Sequence, residues 1–149
     1  MYTKRISYED WNGETREEDF RFNLSKSDIV EMEANTEGGL ENYIKEISEK
    51  LDAKKIMEFT KMFILKSYGE KSLDGKRFMR SEEISRAFSE TPAYDKLFME
   101  LVTDADALAD FIANVIPKDV RDQASKFMEN QNGPKLVTQN TENNSASNS

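Results

Sequence analysis

The chain has 149 residues and a net charge of −8, because 29 aspartates and glutamates outnumber 21 lysines and arginines. It contains no cysteine and no histidine, which excludes disulfides, thiolate or imidazole zinc sites, and Ser-His or Cys-His catalysis. Acidic residues are spread along the whole chain and no apolar run reaches the ~18 residues of a membrane helix, so we expect neither nucleic-acid binding nor a membrane span.

Residues 2–24 have the alternation of a β-hairpin. The segments YTKRISY and EDFRFNL flank Asn12-Gly13, and Asn-Gly is a strong signal for a hairpin turn. In the second segment Phe20, Phe22 and Leu24 share one face. Two strands alone are marginally stable in water, so this face is predicted to pack on helices.

Residues 25–129 change to the helical period and predict about five to seven short helices. Their starts are marked by capping residues, which are Ser25 with Asp28, Asp52, Ser81, Thr91 before Pro92, and Thr103 with Asp106. Gly38-Gly39 is predicted to separate the first two helices, and Gly69 to end the third in a left-handed conformation. The third helix, at about 53–68, has apolar residues on more than one stripe, which predicts a central helix.

The C-terminal part of the chain has a different composition. Pro117 is predicted to end a helix, and residues 118–128 to add one more. Residues 130–149 are dominated by asparagine and serine, and so few apolar side chains cannot offset the entropy of ordering. We therefore predict a mainly α-helical α+β fold, with one globular domain at 1–129 and a disordered polar tail at 130–149.

Two patterns suggest chemistry, but neither has the framework that this chemistry needs. Gly69-Glu70-Lys71-Ser72 is similar to the end of a phosphate-binding loop, yet a helix leads in and the upstream glycine is missing. A connector with an Asp74-Gly75 turn fits this stretch better. Asp104, Asp106 and Asp110 lack the glycine and terminal glutamate of a calcium loop. We predict no catalytic residue, no cofactor and no metal site.

Seven methionines, most of them in the helical part, allow two interpretations. Methionine is a flexible core residue, so ordinary core packing is the simpler one. The other is an adaptable surface that binds apolar helices of a partner protein. Both can hold in one molecule.

Several longer segments resemble a known family. They are EDFRFNLSKSDIVEME, GGLENYIKEI, FILKSYGEKSLDGKRFMRSEE, AFSETPAYDKLFMEL and TDADALADFIANVIP, and they span about residues 18–117. The segments resemble the tail assembly chaperones of long-tailed, siphovirus-like bacteriophages and prophages. The resemblance implies a non-catalytic protein of the bacterial host cytoplasm that binds the tape measure protein and keeps it soluble during tail morphogenesis. It further implies absence from the mature virion, a longer frameshifted product in many members, which is expected as a further partner, and self-association in some.

Under this interpretation the exposed edges of several helices are predicted to contact the partner. These helices bear Met57, Met62, Phe88, Tyr94 and Phe98. One alternative is a structural or adaptor tail-completion protein that stays in the virion. Another is an acidic inhibitor that mimics nucleic acid, which would need a one-sided array of carboxylates, whereas lysines and arginines alternate with them here.

Overall fold

The computed structural model describes residues 1–50 and 52–118, and this part contains one four-stranded sheet and six helices. The elements are β1 (Tyr2–Glu9), β2 (Thr15–Phe22), α1 (Lys26–Asn35), α2 (Leu40–Lys50), α3 (Ala53–Ser67), β3 (Tyr68–Lys71), β4 (Phe78–Met79), α4 (Glu82–Ser89), α5 (Pro92–Thr103) and α6 (Ala105–Val115). The predicted fold class, α+β and mainly helical with an N-terminal hairpin, is confirmed.

Residues Met1–Pro117 form one compact unit. Apart from Lys118, the predicted helix at 118–128 and the predicted disordered tail at 130–149 lie outside the described residues. The domain boundary at residue 129 therefore stays a prediction.

The first hairpin forms with its turn at the predicted position. Strands β1 and β2 are antiparallel, from Tyr2 opposite Phe22 to Glu9 opposite Thr15. The amide of Asp10 donates to the carbonyl of Glu14 over 2.8 Å and closes the loop. Gly13 has a φ of +82° within it, a conformation that glycine adopts without strain and that three-residue hairpin loops require.

The apolar face of the hairpin rests on helices, as predicted. Phe20, Phe22 and Leu24 are all buried. The ring of Phe22 lies 5.1 Å from that of Phe111 in α6 and 6.0 Å from that of Phe88 in α4. Because these rings meet edge to face, the contact adds about 0.5–1.5 kcal/mol to the area that is buried.

Four of the five predicted helix starts are confirmed, and the last is corrected. Side chains of Ser25, Asp52, Ser81 and Thr91 each accept a backbone N–H in the first turn of their helix. Helix α6 begins after Asp104, whose carboxylate accepts the amides of Asp106 and Ala107, and not after Thr103. The hydroxyl of Thr103 donates to the carbonyl of Met99 within α5 instead, which is a common competing bond for threonine.

The prediction of a left-handed Gly69 at the end of α3 is wrong. Helix α3 ends at Ser67, and the chain enters β3 directly, where Gly69 lies opposite Arg21 of β2. The left-handed glycines of the described residues are elsewhere in the chain. Gly69 is instead a point of close approach, since β4 and the residue after it pass over its Cα.

The stretch between α3 and α4 is a second hairpin and not a simple connector. Strand β3 joins β2 on one side and β4 on the other, so the sheet order is β1-β2-β3-β4. The predicted Asp74-Gly75 turn is confirmed, with Gly75 at a φ of +76° and the Asp74 carboxylate accepting the amide of Lys76 over 3.0 Å. Strands of four and two residues are too short to show an alternating pattern.

Arg80 connects three parts of the fold through its side chain. Its guanidinium donates to both carboxylate oxygens of Asp28 in α1, at 2.9 and 3.1 Å. It also donates to the backbone carbonyls of Asn23, after β2, and Lys66, in α3, at 3.3 and 3.4 Å. Planar guanidinium donors suit such a multiple contact, which lysine could not reproduce.

Asp28 makes the stability of this junction depend on pH. Its partial burial favours the neutral form, but the hydrogen bonds from Ser25 and the charge of Arg80 outweigh it, so the pKa of Asp28 is lowered. A carboxyl group with a lowered folded-state pKa contributes stability above its unfolded pKa of about 3.9 and loses it as pH falls through the folded-state value.

We expect the coupling free energy between Asp28 and Arg80 to be about 1 kcal/mol at pH 7 and to vanish in strong acid. A double-mutant cycle with Asp28→Asn and Arg80→Gln measures this coupling by urea unfolding at neutral and at acid pH. Equal coupling at both pH values would contradict the assignment.

Candidate functional site

Helix α3 presents the two predicted methionines on opposite edges. It buries one broad face, which includes Phe59, Phe63 and Ile64, and Ile56 and Leu65 are partly buried against the same core. Met57 is 44% exposed and Met62 is 38% exposed. Five positions apart on a helix, they are separated by about 140° around its axis. The two methionines therefore belong to different surfaces.

Three of the predicted aromatic residues are brought together in one series. The ring of Tyr94 lies 5.7 Å from that of Phe88 and 5.9 Å from that of Phe98. Phe88 is only 3% exposed and stacks on Tyr68 in the core, so little of its ring is open to solvent. Tyr94 and Phe98 are half-buried, and burial, with a smaller contribution from the charge of Asp95, raises the pKa of Tyr94.

Met62 lies in an open groove between α3 and α4, which we call the α3–α4 groove. Its apolar lining is Met62 and Leu65 of α3 and Phe78 of β4. The hydroxyl of Ser85 in α4 donates to the carbonyl of Leu65 over 2.8 Å. This hydrogen bond links the two helices beside the groove. A flexible thioether in an open apolar groove can adapt to different side chains.

Charged residues of both signs surround the apolar lining of this groove. The basic residues are Lys66, Arg80 and Arg86, and the acidic residues are Asp28, Glu82 and Glu83. An amphipathic helix that laid its apolar side chains on Met62, Leu65 and Phe78 would keep its polar flanks near these charges. Grooves of this composition bind helices through apolar residues at positions i, i+3 and i+4.

Trp11 was missed by the sequence analysis, although it is the most exposed aromatic ring of the described residues. Its ring is 81% exposed at the tip of the first hairpin. Its indole Nε1 nevertheless donates to the carbonyl of Glu90, at the end of α4, over 3.2 Å. The signal was present in the sequence, since a lone tryptophan in a predicted hairpin turn has no strand neighbours to bury it.

Further contacts attach the same hairpin to α5. The ammonium group of Lys96 donates to the carbonyl of Ser7, and that of Lys4 pairs with Glu100 at 3.5 Å. Together with Trp11 and Glu90, these contacts follow β1 from its tip toward its start. The position of the hairpin tip is therefore determined by helices α4 and α5.

The shifted pKa values in the described residues differ from those of a catalytic acid or base. The carboxyl pKa values that shift are lowered, for Asp10 chiefly by the hydrogen bond from Arg16 and for Asp74 chiefly by that from the Lys76 amide. Burial raises the pKa of Tyr68 to about 12, with smaller contributions from nearby carboxylates. General acid–base catalysis near neutral pH requires shifts toward neutrality.

The described residues hold neither a cluster of metal ligands nor a helix that could span a membrane. Residues 1–50 and 52–118 bring no three acidic side chains together as a metal site would require. The helices found there are too short and too polar to cross a bilayer.

An α+β fold with half-exposed methionine and aromatic side chains defines a small protein suited to binding other proteins. The family model of the phage tail assembly chaperones matches residues 1–149 of the chain. The chain belongs to this family, which confirms the resemblance found in the sequence. No curated protein and no solved structure matches the chain.

Proposed function

We propose that this tail assembly chaperone binds the tape measure protein of its phage and keeps it soluble until the tail tube assembles around it. The observation that carries the proposal is the α3–α4 groove, in which Met62 stays 38% exposed beside Leu65 and Phe78. A long helical protein with exposed apolar faces aggregates unless they are covered. An open methionine-lined groove supplies such a cover.

The half-buried rings of Tyr94 and Phe98 are proposed as a second contact, supported from below by Phe88. Met57, on the opposite edge of α3, is the alternative position for the contact. The net charge of −8 keeps the complex in solution through mutual repulsion. The chain acts without catalysis or cofactor, in the cytoplasm of the bacterial host.

The experiment is co-expression with the tape measure protein encoded downstream in the same genome. We expect the chain to raise the soluble yield of that protein and to co-purify with it. Met62→Lys is expected to abolish capture, because a charge in the groove opposes an apolar helix. Met57→Lys is the matched control, with the same residue on the same helix at similar exposure, and it is expected to preserve capture.

If Met57→Lys abolished capture and Met62→Lys preserved it, the contact would be assigned to the other edge of α3. The proposal would be overturned if the chain neither raised the soluble yield of the partner nor co-purified with it. Where the gene encodes a longer frameshifted product, that product would have to fail as well. Size-exclusion chromatography of the same samples would report self-association.

A second candidate function is a structural or adaptor tail-completion protein that remains in the virion. The family assignment favours the chaperone, and an assembly chaperone is released before the particle is complete. Mass spectrometry of purified virions separates the two. Stoichiometric recovery of this chain from particles would support the structural role.

A further inference from the structure

We propose that the tip of the first hairpin is a further docking point, which receives a lysine or arginine side chain of the protein partner. It consists of the Trp11 ring, the Glu9 carboxylate near Gly13, and two acidic residues next to the ring in the fold, which are Glu14 of the same loop and Glu90, whose backbone carbonyl accepts from the indole. The inference rests on the proposed function in one respect, which is that the chain binds a protein. It adds the position of a contact outside the α3–α4 groove and the chemistry of the group that it receives.

The Trp11 ring is exposed and held in place at the same time. Its ring is 81% exposed, while its Nε1 donates to the carbonyl of Glu90 over 3.2 Å. An exposed tryptophan that is already ordered binds with little further loss of conformational entropy. Tryptophan is also among the residues that contribute most to binding at protein interfaces.

The loop that carries Trp11 is ordered by Asp10. The Asp10 carboxylate accepts the amides of Asn12 and Glu14, each at 2.9 Å. It also pairs with the Arg16 guanidinium at 2.6 Å. These bonds hold the loop from both ends, so the tip is a preformed surface.

The charge of the tip favours a cation. Arg16 neutralises Asp10 and also lies 3.5 Å from Glu18, whereas Glu9, Glu14 and Glu90 form no ion pair within the described residues. The Glu9 carboxylate reaches over the tip, because it lies 3.5 Å from the position that a Cβ on Gly13 would take.

A cation over the Trp11 face would gain both cation–π attraction and pairing with these carboxylates. A nucleic acid would bring its phosphates toward the same carboxylates, so the exposed ring is not a platform for bases. An uncharged apolar segment would leave the carboxylates unpaired. The cationic side chain of a protein is the occupant that satisfies both the ring and the charges.

Trp11 is the single tryptophan of the chain, so its fluorescence reports this site alone. The probe is a tryptophan-free helical peptide with lysine at every fourth position, titrated into the full chain. We expect a shifted emission and protection from acrylamide quenching, and about tenfold weaker binding when salt rises from about 50 to about 500 mM. A glutamate version of the peptide, an uncharged version and a duplex oligonucleotide are expected to leave the emission unchanged.

Calorimetry with the lysine peptide tests the named residues. Trp11→Ala and the triple variant Glu9→Gln, Glu14→Gln, Glu90→Gln are each expected to weaken binding about tenfold. Leu73→Ala, at the fully exposed tip of the second hairpin, is the control and is expected to bind unchanged. Trp11→Phe keeps an aromatic ring but loses the bond to Glu90. Thermal unfolding of this variant reports a folding defect, and its affinity for the lysine peptide reports a lost contact.

Unchanged fluorescence with the lysine peptide, or equal affinity for the uncharged peptide, would overturn the inference. Capture of the tape measure protein that is equally strong with Trp11→Ala would also overturn it, while leaving the proposed function in place. Failure of the wild-type chain to capture that protein is a separate result, which bears on the proposed function alone.

Discussion

Replacing Phe22 by alanine is expected to lower the free energy of unfolding by about 3–5 kcal/mol. The Phe22 side chain is fully buried. Its ring lies 5.7 Å from that of Tyr68, 6.0 Å from that of Phe88 and 5.1 Å from that of Phe111. The variant leaves a cavity where the sheet meets α4 and α6, and the surrounding rings cannot collapse into it without moving both helices.

Urea unfolding followed by far-UV circular dichroism measures the loss at Phe22. Phe98→Ala is the matched control, because Phe98 is half-buried on the outer edge of α5 and its removal opens no enclosed cavity. We expect less than half the loss for the control. Similar losses for both variants would mean that the core is not centred on Phe22.

Gly69→Ala has the second largest expected effect, a loss of about 2–3 kcal/mol. A Cβ on Gly69 would lie 2.7 Å from Cε2 of Phe78, 2.7 Å from Cγ of Arg80 and 2.8 Å from the carbonyl oxygen of Met79. The side chains could shift, but the Met79 carbonyl belongs to β4 and moves only with the strand. Displacing β4 would also pull Arg80 away from Asp28.

Gly75→Ala is the control that separates steric overlap from backbone strain. Gly75 has a φ of +76° and open space around the position of a Cβ, so alanine there costs only about 1 kcal/mol of backbone strain. Thermal unfolding of both variants gives the comparison. An equal or larger loss for Gly75→Ala would contradict close approach as the reason for glycine at position 69.

The Gly69→Ala substitution is also expected to affect partner binding. Phe78 and Arg80 line the α3–α4 groove, so a displaced β4 changes the shape of the proposed partner site. The residues that stabilise the second hairpin thus also determine the width of the groove. Co-expression with the Gly69→Ala variant would show whether partner capture declines together with stability.

The separate positions of Met57 and Met62 show that the sequence could not predict which of the candidate contact residues share a surface. Helical periodicity identifies the apolar residues of α3, but it does not say which neighbours cover them. In the fold, Met62 lines an open groove together with residues of β4 and α4, whereas Met57 lies about 140° away around the helix. Phe88, also predicted for the surface, is covered by the rings of the hairpin.

Local sequence by itself determined the first hairpin, the extent of α3 and most of the helix starts. Each depends on residues a few positions apart, such as Asn12-Gly13 in a turn or Ser25 with Asp28 in a capping box. The segments that resemble tail assembly chaperones likewise determined the family. Tertiary structure alone decided the pairing of β3 with β2, the need for glycine at position 69 and the junction around Arg80. These depend on backbone groups distant in sequence, such as the Asn23 carbonyl that accepts from Arg80, and no local pattern records which of them meet.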